Sequence, residues 1–126
     1  MNARRALTAF AILVSAATSG CGPMRHASAP GQEDVVIHVQ NQGFPDVIMY
    51  VVPTGDPWRI GSVTGNSKAT FKLPARMLGV GQLQLLARPL AGKAFMLPAV
   101  SVSPGDQVEV TIGNVPAQSI VTVAPR

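Results

Sequence analysis

Hydrophobic and polar positions alternate with period two through much of the chain. Asp34-Val-Val-Ile-His-Val-Gln40 puts Val35, Ile37 and Val39 on one side and Val36, His38 and Gln40 on the other, which predicts a half-buried strand. Val47–Val52 is apolar on both faces, as in a central strand, and runs into the turn-rich Pro53-Thr-Gly-Asp-Pro57. Trp58–Val63 then pairs back as a hairpin. After a turn at Thr64–Ser67, Ala69, Phe71 and Leu73 point inward and Thr70 and Lys72 outward. Further strands are predicted over Gln82–Arg88, about Ala99–Ser103, Gln107–Ile112 and Ser119–Val123, with Ser103-Pro-Gly-Asp106 as a compact turn.

Helix is disfavoured by the punctuation. All 11 prolines follow Cys21, and the longest proline-free interval beyond it, Trp58–Leu73, is broken by Gly61 and Gly65. Ala75–Gln82 carries two glycines and reads as a loop, as does Pro89–Pro98. Seven or eight short strands at near-regular spacing predict an all-β domain over residues 35–126, an antiparallel β-sandwich, with a small closed barrel as the alternative.

The first 34 residues follow another pattern. Arg4 and Arg5 precede the apolar stretch Ala6–Ala17, then the small residues Thr18-Ser19-Gly20 and Cys21, which is a signal-peptide layout over residues 1–20. The twelve residues of this stretch rise only about 18 Å as a helix, too little for a hydrocarbon core of about 30 Å. Small residues directly before the sole cysteine resemble the lipobox of bacterial lipoproteins, although lipoboxes usually carry Leu where this chain has Thr18. The resemblance implies lipid attachment, of the palmitate-bearing kind, at Cys21 as the new N-terminus. Gly22 in place of Asp implies the outer membrane if the organism is diderm. Ordinary secretion, with cleavage near Thr18–Gly20 or after Ala29, is the alternative. Residues 21–34, rich in Pro, Gly and small polar residues, read as a flexible tether.

Composition narrows function mainly by exclusion. One cysteine and two separated histidines supply neither a disulfide framework nor a zinc site, and no Asp-X-Asp-X-Asp calcium loop is present. Removal of residues 1–20 takes Arg4 and Arg5 and lowers the balance from +4 to +2. The remaining basic residues are scattered, so nucleic acid is not an expected partner. No catalytic residues, metal or cofactor are assigned. His38 is read as a solvated strand residue, and Asp46, Asp56 and Asp106 as caps of turns. No Gly-X-Ser-X-Gly elbow or phosphate loop is present.

The segments Asn41–Val52, Arg59–Gly65, Phe71–Pro74, Leu85–Pro89 and Val102–Val108, in that order, resemble small uncharacterised bacterial lipoproteins with an immunoglobulin- or transthyretin-like sandwich. The resemblance implies a fold and an envelope location and carries no activity with it. The expected role is a lipid-anchored, non-enzymatic accessory or protein-interaction module with an envelope protein as partner; the alternative is a peptide- or glycan-binding module using a sheet edge or aromatic patch. Trp58, Tyr50, Phe95 and Met96 are the candidate partner contacts. With six aromatic residues in the chain, Trp58 and Tyr50 are expected in the core, and Phe95, Met96 and Leu97 either cap the sandwich or form an exposed apolar site.

Overall fold

The computed structural model describes residue 29 and residues 31–126. The chain runs β1 (Val35–Asn41), β2 (Val47–Val51), β3 (Trp58–Val63), β4 (Lys68–Leu73), β5 (Gln82–Leu83), β6 (Leu85–Pro89), β7 (Phe95–Met96), β8 (Val100–Ser101), β9 (Gln107–Ile112) and β10 (Ile120–Ala124). Four strands form one sheet in the order β10-β9-β1-β4, four form a second in the order β3-β2-β6-β7, and β5 pairs with β8 alone. Two separate four-stranded layers decide for the sandwich over the barrel. Among the described residues no helix is long and apolar enough to cross a membrane. The segment 1–20, the lipid attachment at Cys21 and most of the tether lie outside the described residues.

The pairings are antiparallel except one. β1 and β9 run parallel, with Val36 beside Gln107 and Asn41 beside Ile112. This pair makes the first strand central in its sheet, unlike the immunoglobulin order, where it lies at an edge; the arrangement is the transthyretin-like form of the expected sandwich. A parallel pair needs a long connection, and here the whole second sheet lies between β1 and β9.

The alternation read from the sequence sets the core. Val35, Ile37 and Val39 of β1, Val47, Met49 and Val51 of β2, and Val108, Val110 and Ile112 of β9 are buried between the sheets. The buried hydrophobic set contains no aromatic residue; Phe71 and Phe95 pack against it from its margins. Gly61 is where Phe71 comes close, since a Cβ there would run into the Phe71 ring. A bulge between Met49 and Tyr50 lets β3 accommodate Ile60 as an extra residue opposite β2.

Four local readings change. Pro89–Pro98, expected as a loop, contains β7, because Leu86 and Ala87 pair with Met96 and Phe95. The strand expected over 82–88 is split at Gln84, one part joining β8 and the other β2. The strand expected over Ala99–Ser103 shortens to two residues, and Ala75–Met77 forms a single 3-10 turn inside the predicted loop. Periodicity could not find these features because each is too short to show a period.

The two ends of the sandwich differ. At one end β1 begins, near the 74–81 and 102–106 loops, with the Val36 N–H donating to the Asp106 carbonyl. Arg126 and Glu33 pair there. At the other end Asn41 is 1% exposed, and its amide nitrogen donates to the carbonyls of Pro45 at 2.9 Å, Thr64 at 3.3 Å and Val63 at 3.4 Å. Its Oδ1 accepts from the Gly43 N–H at 2.9 Å. Asp46 adds a bond from the Gly65 N–H at 3.0 Å, and Asp106 accepts from Ser103 at 2.8 Å, so two of the turn aspartates cap as the sequence implied. Asn41→Ala leaves several buried backbone groups unpartnered at once and is expected to cost about 2–3 kcal/mol. Urea unfolding at equilibrium measures this, against Gln42→Ala as an exposed control that should stay within about 0.5 kcal/mol of the parent.

Candidate functional site

The outward face of the β3-β2-β6-β7 sheet gathers side chains that the chain keeps far apart. Buried Val47, Met49 and Val51 alternate with half-buried Ile48 and Tyr50 on β2, and buried Leu85 and Ala87 alternate with Leu86 and Arg88 on β6. The register then aligns Arg59, Tyr50, Leu86 and Met96 in one row across all four strands. Ser62, Ile48 and Arg88 form the neighbouring row. Directly opposed side chains in such rows have Cβ atoms about 5 Å apart. The result is an apolar band around Tyr50, bordered by two guanidinium groups, on a sheet whose strands hold no Asp or Glu.

The four contact residues expected from the sequence therefore part company. Tyr50 and Met96 share the outward row, and Met96 is 49% exposed. Phe95 pairs with Ala87 on the inward side and packs against the core. Trp58 pairs with Val51, also on the inward side, yet it is 62% exposed. The expectation that the single Trp sits in the core is thus corrected: Trp58 opens an edge strand at the end of the sandwich, where no facing strand covers it. Tyr50 likewise lies outside the core, half-buried on the sheet surface. Leu97 takes the inward place instead and is buried. Sequence reading missed Arg59 and Leu86 as members of the Tyr50 row. Their outward parity was legible, but which strand lay next to which was not.

The second candidate arrangement lies on the outside of the other sheet. His38 sits between Thr70 of β4 and Glu109 of β9 in register, and Thr122 of β10 continues the row. His38 Nδ1 is 3.0 Å from Thr70 Oγ1. Hydroxyl, imidazole and carboxylate in this order are the groups used in nucleophilic catalysis, where the acid orients the base inside a water-poor site. Here all three residues are exposed, and among the described residues no hydrogen bond or ion pair joins His38 to Glu109. The row has the chemistry of cross-strand polar pairing on a wet surface. Among the described residues no group of three or more His, Cys, Asp or Glu side chains comes together as a cation would need.

No family model matches the chain. No curated protein matches it either. Among solved structures it is similar to the C-terminal domain of AlgF from P. aeruginosa, at 14% identity and a TM-score of 0.48, with 75% of this chain and 100% of that one covered.

The placement of Trp58 has a direct optical consequence. As the single tryptophan, it is expected to emit at long wavelength in the folded protein and to be quenched by acrylamide nearly as well as in the urea-unfolded chain. A blue-shifted, protected emission would contradict the exposed position.

Proposed function

We propose that this is a lipid-anchored protein of the bacterial cell envelope that works as a non-enzymatic accessory or protein-interaction module. The observation that carries the reading is the order of the first 21 residues: two arginines, a mostly apolar stretch of twelve residues, three small residues and then the only cysteine of the chain. Lipidation also accounts for a lone cysteine in an exported chain, where a free thiol would oxidise. The tether over residues 21–34 would then hold the sandwich off the bilayer, at the outer membrane in a diderm organism.

A second reading, recognition of a peptide or glycan, is supported by the exposed Trp58 at the start of an edge strand. An extended peptide could add to the free side of β3, with the indole giving contact area at low entropic cost. The outward row of Tyr50, Leu86 and Met96 is open to the same use.

Growth with radiolabelled palmitate tests the anchor. The native chain is expected to carry label into the membrane fraction, and Cys21→Ala to lose the label and stay at the precursor size. An unlabelled native chain would sink the anchored reading and leave ordinary secretion.

A further inference from the structure

The loops at the two ends of the sandwich carry unequal charge. Residues 31–34, 52–57, 74–81, 102–106 and 125–126, at the end where the tether enters, include Glu33, Asp34, Asp56, Arg76, Asp106 and Arg126. The loops at the opposite end, 42–46, 64–67, 90–94 and 113–119, include only Asp46 and Lys93. Exposed apolar residues lie at both ends, with Val80 and Trp58 at the tether end and a larger set at the far end. Phe44 is 84% exposed, Leu90 68% and Val115 48%, and they come from three different loops of the far end. Ile120, exposed at the start of β10, lies at the same end.

Between these loops is a recess of about 240 Å³, lined by Pro45, Val47, Pro89, Phe95, Ile112 and Pro116, with Lys93 in its wall. That volume takes one large side chain. Isolated exposed apolar residues are ordinary, but several around an apolar recess mark a contact site.

We propose that this far-end recess receives an apolar side chain of a partner protein, on a segment that also presents a carboxylate to Lys93. The inference rests on the anchored reading for the direction in which the recess faces. Tethered at its charged end, the domain carries this recess on the end farther from its anchor, and a bilayer as occupant would give no protein adduct in the experiment below. A second copy is disfavoured because it brings Lys93 no free carboxylate: Asp46, the one acid in the loops of this end, is engaged by the Gly65 N–H. The carboxylate follows from charge: Asp46 is engaged by the Gly65 N–H, so Lys93, in the wall of the recess, has no ion-pair partner among the described residues.

The test uses the full chain in its own cells, with the photo-crosslinker benzoylphenylalanine in place of Leu90 and, as a control, of Thr122 on the outer face of the other sheet. Illumination is expected to give a discrete heavier adduct from position 90 and none from position 122. Phe44→Asp should abolish the adduct and Lys93→Glu should reduce it severalfold; both positions lie on the rim, and unchanged protein level and protease resistance show that the variants fold. Mass spectrometry should place the crosslink on a segment with a large apolar residue within a few positions of Asp or Glu. Overturning results are no adduct, an adduct of twice the chain's own mass, equal adducts from both positions, or an adduct indifferent to both substitutions. Palmitate labelling is read on the same cells. A labelled chain without adduct refutes the recess and leaves the anchor standing, whereas an unlabelled chain refutes the anchor and leaves the crosslink to judge the recess.

Discussion

The buried amide of Asn41 is the interaction on which the rest of this domain is arranged. It stands at the last residue of β1, where the chain leaves one sheet for the other, and it bonds to three carbonyls and one N–H from the loops at that end. A backbone that crosses between two sheets at a sharp angle leaves polar groups that no strand can pair, and in a dry interior each would be costly. One asparagine satisfies several of them together. It thereby ties the 42–46 connection to the turn after β3, the turn through which the chain returns to the first sheet. A Cβ at Gly65 would collide with the Phe44 backbone, so these two segments lie close enough that only glycine fits between them.

From that joint the layered core follows. With few aromatic residues available, the interior is filled by valine, leucine and isoleucine, with Met49 and Ala87 among them. β-branched residues suit this role because their stiff side chains pack against a pleated surface with little loss of rotamer freedom. The larger rings are left at the margins, where Phe71 lies over Gly61 and Phe95 closes the second sheet. Trp58 and Phe44 remain outside altogether. A core built of small aliphatic side chains thus leaves Trp58 and Phe44 at the surface.

Where those surface residues lie gives the molecule a direction. Charged loops cluster at the end where the described chain begins, and the loops at the other carry little charge. On the proposed reading, the anchored end is the one that meets water and headgroups, and the far end offers apolar area to another protein. The band around Tyr50 runs along the side of the sandwich between them. A contact surface of the kind proposed is suited to loops and sheet faces, because the buried layers hold them in place at no further cost in order.

The alternation of Val35, Ile37 and Val39 with Val36, His38 and Gln40 was enough to determine a strand and its buried side, since burial demands one apolar face and the pleat has period two. The same reasoning placed β2 centrally, Asp46 and Asp106 in turns, and the domain in the sandwich class. Strand neighbours were beyond it. That β9 lies parallel to β1, that β7 forms within a proline-bounded segment, and that Trp58 is exposed all depend on which strands face or flank each other. Long-range pairings are chosen by the summed packing of two sheets, and no local pattern records that sum. The contact residues divided for the same reason: a sequence can say that Tyr50 and Met96 are apolar and that Asn41 is polar, but only the assembled layers decide which of them water reaches.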